Sequence, residues 1–425
     1  MRRVVPLLMI CFLLLAIALS PAEAEAEPET KSGLTLGSIL PVFVGPVPIS
    51  PPAVRFDERA SVHLAWLEKT GPVGAVKSVR IGKESKAVAT PVQVNPEAFP
   101  PDAFHQAPGL ATGTGNHVFV SWSTANQAPG SLFASDLHVA RSQDGGQTFE
   151  NPVQVNDDGL PISHTFENLA TGNGSDLYVA WLDGRGKDHS GAAVLFGCSN
   201  NQGQTIGKNL TVDGMACPCC RPMVAVAPNG HLWVAWRKTF ADNVRDIVLA
   251  KSEDRGQTFS SPLLVHKDNW VFSACPHRGP SIGFDRFGRI YVGWYTEGTN
   301  EQPRLLVATS DDQGRTFSPP VSLHTSTTSL PDQMRMAVHP DGAVVAVWEE
   351  ITGVRKRAVM RVSMDRGQHF GPLQVLSTSA KAEYPTVTIH DNGAVAVSWM
   401  EYAFPMNRIL LQQGTLALTA ITGQP

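Results

Sequence analysis

Apolar and polar residues alternate in short runs along most of this chain, as in His231-Leu-Trp-Val-Ala-Trp236, and Gly, Pro, Asn and Asp break the runs. A period of two predicts strands with one face turned inward, and the longer period of an amphipathic helix is missing. The runs recur. A turn with Gly leads into an apolar strand that ends in Trp at Trp66, Trp122, Trp181, Trp236, Trp294, Trp348 and Trp399, which defines seven units. Each full unit reads as four strands. In the fourth they are expected near Met223–Ala227, His231–Trp236, Asp246–Lys251 and Phe259–His266. Four-stranded sheets repeated radially make a β-propeller. The pattern therefore predicts an all-β propeller over residues 39–425, with seven blades expected and six as the alternative. The last unit stops after Arg408–Leu416. The segment around Leu40–Ile49 is expected to supply its missing outer strand and protect the sheet edges.

A second repeat sits between the strands. The octapeptide Ser-x-Asp-x-Gly-x-Thr-Phe occurs five times, beginning at Ser142, Ser199, Ser252, Ser310 and Ser363, with Asn201, Ile206 and His369 as departures. Ser and Asp side chains bond nearby backbone N–H groups and hold a turn, and the Gly supplies a positive φ. The Thr and the aromatic start the next strand. Asp144, Asp254, Asp312 and Asp365 are therefore expected to be scaffold. A degraded copy lies around Gly82–Ala89. This octapeptide resembles the Asp-box, or BNR, repeat of the sialidase superfamily.

Antiparallel geometry sorts the loops onto two faces. The tight turns Asn229-Gly230, Asp341-Gly342 and Asn392-Gly393 and the boxes share one face. The starts of the first strands and the ends of the second strands meet the other, where a pocket is expected. Three arginines stand at or near the starts of inner strands there: Arg221, Arg278 and Arg335. Glu383-Tyr384 takes the matching place in the last unit. Arg237, Arg245 and Asp183 lie in loops that follow second strands, and Glu297, Glu349 and Glu350 at second-strand ends.

This layout resembles a sialidase pocket. In that family an arginine triad grips a substrate carboxylate, which suits the forked guanidinium, and a Tyr with a carboxylate base acts as nucleophile. The resemblance implies Arg221, Arg278 and Arg335 as the triad and Tyr384 as nucleophile. Its base would be Glu383, Glu297, Glu349 or Glu350, and Arg237, Arg245 and Asp183 would be further substrate contacts. It implies a glycoside hydrolase acting on an acidic sugar such as sialic acid. The alternative is a non-catalytic propeller binding an anionic ligand or partner protein. The family's Phe/Tyr-Arg-Ile-Pro motif is absent; Arg55 in Ala53-Val-Arg-Phe-Asp57 is the nearest sequence to it.

The six cysteines follow a different logic. Met215-Ala-Cys217-Pro-Cys219-Cys220-Arg221-Pro222 opens the fourth inner strand, and Ala274-Cys275-Pro-His277-Arg278-Gly-Pro280 opens the fifth. Two readings stand. One is disulfides from Cys217, Cys219 or Cys220 to Cys275, as an oxidising compartment favours. The other is a copper or zinc site built from these cysteines with His277 or Met215, or a redox role. The Cys-x-Cys-Cys-Arg motif, with Trp270, Cys275-Pro276 and Gly279-Pro280, also resembles a group of bacterial exported sialidase-like proteins.

The N-terminus supports export. Arg2 and Arg3 precede an apolar run from Val4 to Leu19, and Ala22-Glu23-Ala24 offers a cleavage site, so residues 1–24 read as a signal peptide and 25–38 as a flexible lead-in. A periplasmic or secreted protein with no membrane span after cleavage is expected. The net charge of -4 and the lack of a long basic stripe argue against nucleic acid as a partner.

Overall fold

Seven tryptophans organise the core: Trp66, Trp122, Trp181, Trp236, Trp294, Trp348 and Trp399 are each at most 1% exposed. Each stands near the end of a second strand, flanked by small and β-branched residues that pack between sheets. Burial leaves the indole N–H in need of an acceptor. In four sheets the residue two positions on supplies it: Glu68, Asp183, Glu350 and Glu401, at 2.8, 2.9, 2.8 and 3.0 Å. Trp236 and Trp294 reach Asp213 and Asp268, and Trp122 reaches the carbonyl of Phe99.

The computed structural model describes residues 33–422, except 70–73, 84, 86, 127–132, 187–190, 299–300 and 378. The proposed signal peptide and most of the lead-in lie outside the described residues. Among those residues the chain is all-β and of propeller type: five antiparallel sheets have four strands and a sixth has eight. The eight-stranded sheet is two such units in series. One runs from His164–Thr171 to Leu210–Ala216 and the other from Met223–Val226 to Leu263–Leu264, joined where Ala216 pairs with Lys238. The innermost strands lie against one another in chain order, and the first, Ala53–Phe56, also touches the last, Ala382–Ile389. No described helix is long and apolar enough to cross a membrane.

Two strands differ from the sequence expectation. The strand that completes the last sheet is Leu34–Gly45, paired with Met406–Leu416, so Leu34–Ser38 are strand rather than lead-in. Leu34 packs on Leu416 in a buried cluster, and Pro46 and Pro48 follow the strand's end, where their missing N–H groups cannot extend the ladder. The fourth strand of the fourth unit is only Leu263–Leu264, because Pro262 precedes it.

The boxes fold as scaffold. Ser142 Oγ donates to Asp144 Oδ1 and accepts from Gly146 N at 2.7 and 2.8 Å, while Thr148 donates its N–H and Oγ1–H to the same carboxylate. Asp254 and Asp312 repeat the pattern, and at Asp365 the ring of His369 replaces the threonine hydroxyl. These bonds hold the carboxyls of Asp144, Asp254 and Asp312 at about 2. Gly256 has φ +86°, and a Cβ there would meet the Phe196 ring at 2.2 Å.

Candidate binding site in the central pocket

The strand register fixes which inner-strand residues face the centre. Opposite the residue that precedes each tryptophan stand Ala53, Gly109, Asn168, Met223, Ser281, Arg335 and Thr386. All of them line one cavity of about 770 Å³, and so do the residues two positions earlier, among them Phe166, Arg221, Gln333 and Tyr384. Two positions later, Arg55 reaches the same cavity from the first sheet. Side chains two apart share a face and stand about 7 Å apart along the strand. The wall therefore has tiers: Arg221 nearest the strand starts, Arg335 next and Arg55 deepest.

Three guanidiniums thus enter one pocket. Among the described residues none has a carboxylate within ion-pair distance. Arg221 donates to Gln106 Oε1 at 3.1 Å and to the carbonyl of Ala107 at 2.6 Å. Arg55 and Arg335 each donate to the carbonyl of their own preceding residue. Burial, then the charges of Arg221 and Arg55, pushes Arg335 down to about 10. Burial also lowers Arg55 and Arg221. The charge of Glu167 reaches Arg221, but its Oε1 accepts from Gly109 N and Ser121 Oγ.

A recurring bulge aims side chains at the cavity. Phe166-Glu167, Gln333-Met334 and Tyr384-Pro385 each place two residues opposite one tryptophan. Phe166, Gln333 and Tyr384 have φ of +58°, +49° and +53°, a region costly for side chains larger than Gly. Tyr384 lines the cavity, and its backbone N–H donates to Glu349 Oε1 at 2.8 Å. Glu349 is buried, with Lys356 Nζ at 3.4 Å. Burial raises the Glu349 carboxyl to about 7, with Asp332 and Glu383 adding to the rise and Lys356 opposing it. Burial and the charges of Glu349 and Glu383 raise Tyr384, so its phenol is neutral. The Glu349 carboxyl therefore meets the Tyr384 backbone, and its charge reaches the phenol through space.

Other candidates lie elsewhere. Arg278 is not on the cavity wall, where Gly279 stands just ahead of the strand Ser281–Phe284. Its guanidinium forks onto Asp332 at 2.7 and 3.1 Å, lies 3.7 Å from Glu297 and stacks 4.0 Å from the Tyr295 ring. Glu297 also accepts from the Tyr295 hydroxyl. Glu383 pairs with Lys356 at 2.7 Å. Glu350 and Asp183 are the buried acceptors of Trp348 and Trp181, which makes them framework groups. Arg237 is fully buried and donates to the carbonyls of Arg245, Arg278 and Tyr295. Of Arg221, Arg278 and Arg335, the structure brings Arg221 and Arg335 to the cavity, where Arg55 joins them. Counting back from each tryptophan is the sequence signal that finds Arg55.

The cysteines divide. All five described ones are free, so the expected bridges to Cys275 do not form, and Cys275 is exposed. Cys217, Cys219 and Cys220 are buried with their sulfurs within 4.8 Å of one another, and His277 does not join them. Its side-chain hydrogen bonds with Cys219 and Cys220 hold the Cys217 thiol well below its ordinary range. His277 lies in the pocket instead, beside Phe166 and His105. Arg245 is buried with Nη1 3.3 Å from Cys217 Sγ, away from the cavity.

Residues 95–274 match the BNR repeat-like domain family. Several solved structures share the fold at low identity. A protein of unknown function from Dyadobacter fermentans is 16% identical, with a TM-score of 0.55 over 90% of this chain and 99% of its own. The polysaccharide lyase Uly1 is 11% identical, with a TM-score of 0.57 over 86% and 89%. The leech intramolecular trans-sialidase is 9% identical, with a TM-score of 0.50 over 92% and 94%. No curated protein matches the chain in sequence. Residues 95–274 are thus similar to a BNR repeat-like domain, and the propeller-type sheets extend the likeness in fold beyond them.

Proposed function

We propose that this chain is a glycoside hydrolase that holds a carboxylate-bearing sugar, of the sialic acid kind, in its central pocket. The observation that carries this reading is the convergence of Arg55, Arg221 and Arg335 on one cavity with no carboxylate at ion-pair distance among the described residues. Like charges in a partly dry pocket repel, and a bound carboxylate relieves that while accepting forked hydrogen bonds. Tyr384 Oη attacks the anomeric carbon as the glycosidic C–O bond breaks. Glu349 takes the phenol proton, and the leaving oxygen is protonated from solvent. Water then cleaves the tyrosyl–sugar bond and gives up one proton to solvent, and Glu349 returns its proton to the tyrosine. The contact of the first inner strand with the last supports seven blades in a closed ring. Residues 1–24 support export of the mature chain.

The test is hydrolysis of a fluorogenic sialic acid glycoside by the chain and by Tyr384→Phe. Turnover is expected, with a fall of about 10²–10⁴-fold in the variant and calorimetric binding of the free sugar acid retained. Binding without turnover in the unaltered chain selects the non-catalytic binding propeller. Absence of both overturns the proposal.

A further inference from the structure

Cys217-Pro218-Cys219-Cys220 forms a tight turn in which the Cys220 N–H donates to the Cys217 carbonyl at 3.4 Å. Proline at the second position presets the backbone for such a turn. The turn hangs from the seam of the eight-stranded sheet, where Ala216 pairs with Lys238 and Cys217 N donates to the Arg237 carbonyl at 2.9 Å. It brings Cys217 Sγ to 3.9 Å from Cys219 Sγ and 3.0 Å from Cys220 Sγ. Three buried sulfurs on one short turn are a soft donor set.

We propose that Cys217, Cys219 and Cys220 bind one copper(I) ion in trigonal thiolate coordination. With metal–sulfur bonds of ~2.3 Å, a trigonal site needs sulfurs about 4 Å apart. The Cys217–Cys219 pair already has that spacing, and Cys220 has to move outward from Cys217 by roughly 1 Å. Zinc requires a fourth ligand in a structural site, and no described His, Cys, Asp or Glu completes the group. Charge also fits. Three thiolates and a monovalent ion carry a net double negative charge, and the two buried guanidiniums of Arg245 and Arg237 stand behind Cys217 to offset it. Binding releases the three thiol protons to solvent. Cys219 lines the central cavity and gives the ion its way in.

The experiment uses the reduced mature chain under anaerobic conditions, titrated with the copper(I)–bicinchoninate complex, with X-ray absorption on the product. The expected result is one copper(I) per chain with three sulfur neighbours, undisturbed by equimolar zinc. Cys219→Ser should weaken affinity by more than about 100-fold, beyond the loss of an outer-shell partner, while Cys275→Ser and Cys198→Ser leave it unchanged. Circular dichroism checks that the variants fold. Copper retained by bicinchoninate, displacement by zinc, a site needing Cys275, or a Cys217–Cys220 disulfide in the isolated protein each overturns the proposal.

Discussion

The box face and the central pocket treat charge in contrary ways. Asp144, Asp254, Asp312 and Asp365 each close onto the Ser and the Thr or His of their own octapeptide. In the pocket, Arg55, Arg221 and Arg335 bond to carbonyls and an amide side chain and repel one another, with no carboxylate in ion-pair reach among the described residues. A charge completed by its own loop serves the scaffold. A charge left facing a cavity is fit for a ligand from outside. Arg278 makes the point within one residue type: its sheet sends it to Asp332, and it leaves the pocket.

That contrast is open to attack by mutation. The largest effect is expected from Arg221→Ala, which should weaken calorimetric binding of a sialic acid by about 10–100-fold, the loss of hydrogen bonds to a charged group. Arg278→Ala should change it less than about threefold. Equal losses would erase the distinction between the two arginines. Next is Glu349. Its folded carboxyl titrates at about 7 against an ordinary 4.5. Its contribution to stability is complete below pH 4.5 and is lost as pH rises through 7. Urea unfolding should therefore show less stability at pH 8 than at pH 5, by on the order of 2 kcal/mol, and Glu349→Gln should flatten the difference. A flat profile in the unaltered chain would remove Glu349 as the pocket's proton acceptor. The smallest effect belongs to the box face: Asp144→Ala should lower Tm by about 2–4 °C and leave sugar affinity unchanged. A changed affinity would show that the two faces are coupled.

The fold was legible because it is written in repeats. The Gly turns, the Trp-ending strands and the octapeptides each predict the same sheets, and local rules suffice for them. The site was legible in part. Arg221, Arg335 and Tyr384 stand on the cavity wall as their places at inner-strand starts suggest. Arg278 was misread because Gly279, one residue on, takes the place on the cavity wall. Arg55, the nearest sequence to an absent motif, sits deeper in the wall and carries no local sign of its place there. Asp183 reads as a loop acid and Glu350 as a strand-end acid; the buried indoles that claim them come from their own strands, and only packing reveals the bond. The cysteines aligned between two strands in sequence, yet the turn at Pro218 gathers three of them and leaves Cys275 outside.

The pairing of Leu34–Gly45 with Met406–Leu416 joins segments separated by most of the chain. During synthesis the early strand has no partner until nearly every later residue has left the ribosome. Contacts of such long sequence separation form late and slowly, so until then that strand presents an unpaired edge to other chains. The last sheet acts as a latch set only once Met406–Leu416 has been made, and a chain stalled shortly before Met406 would carry all its boxes and still be unable to complete that sheet.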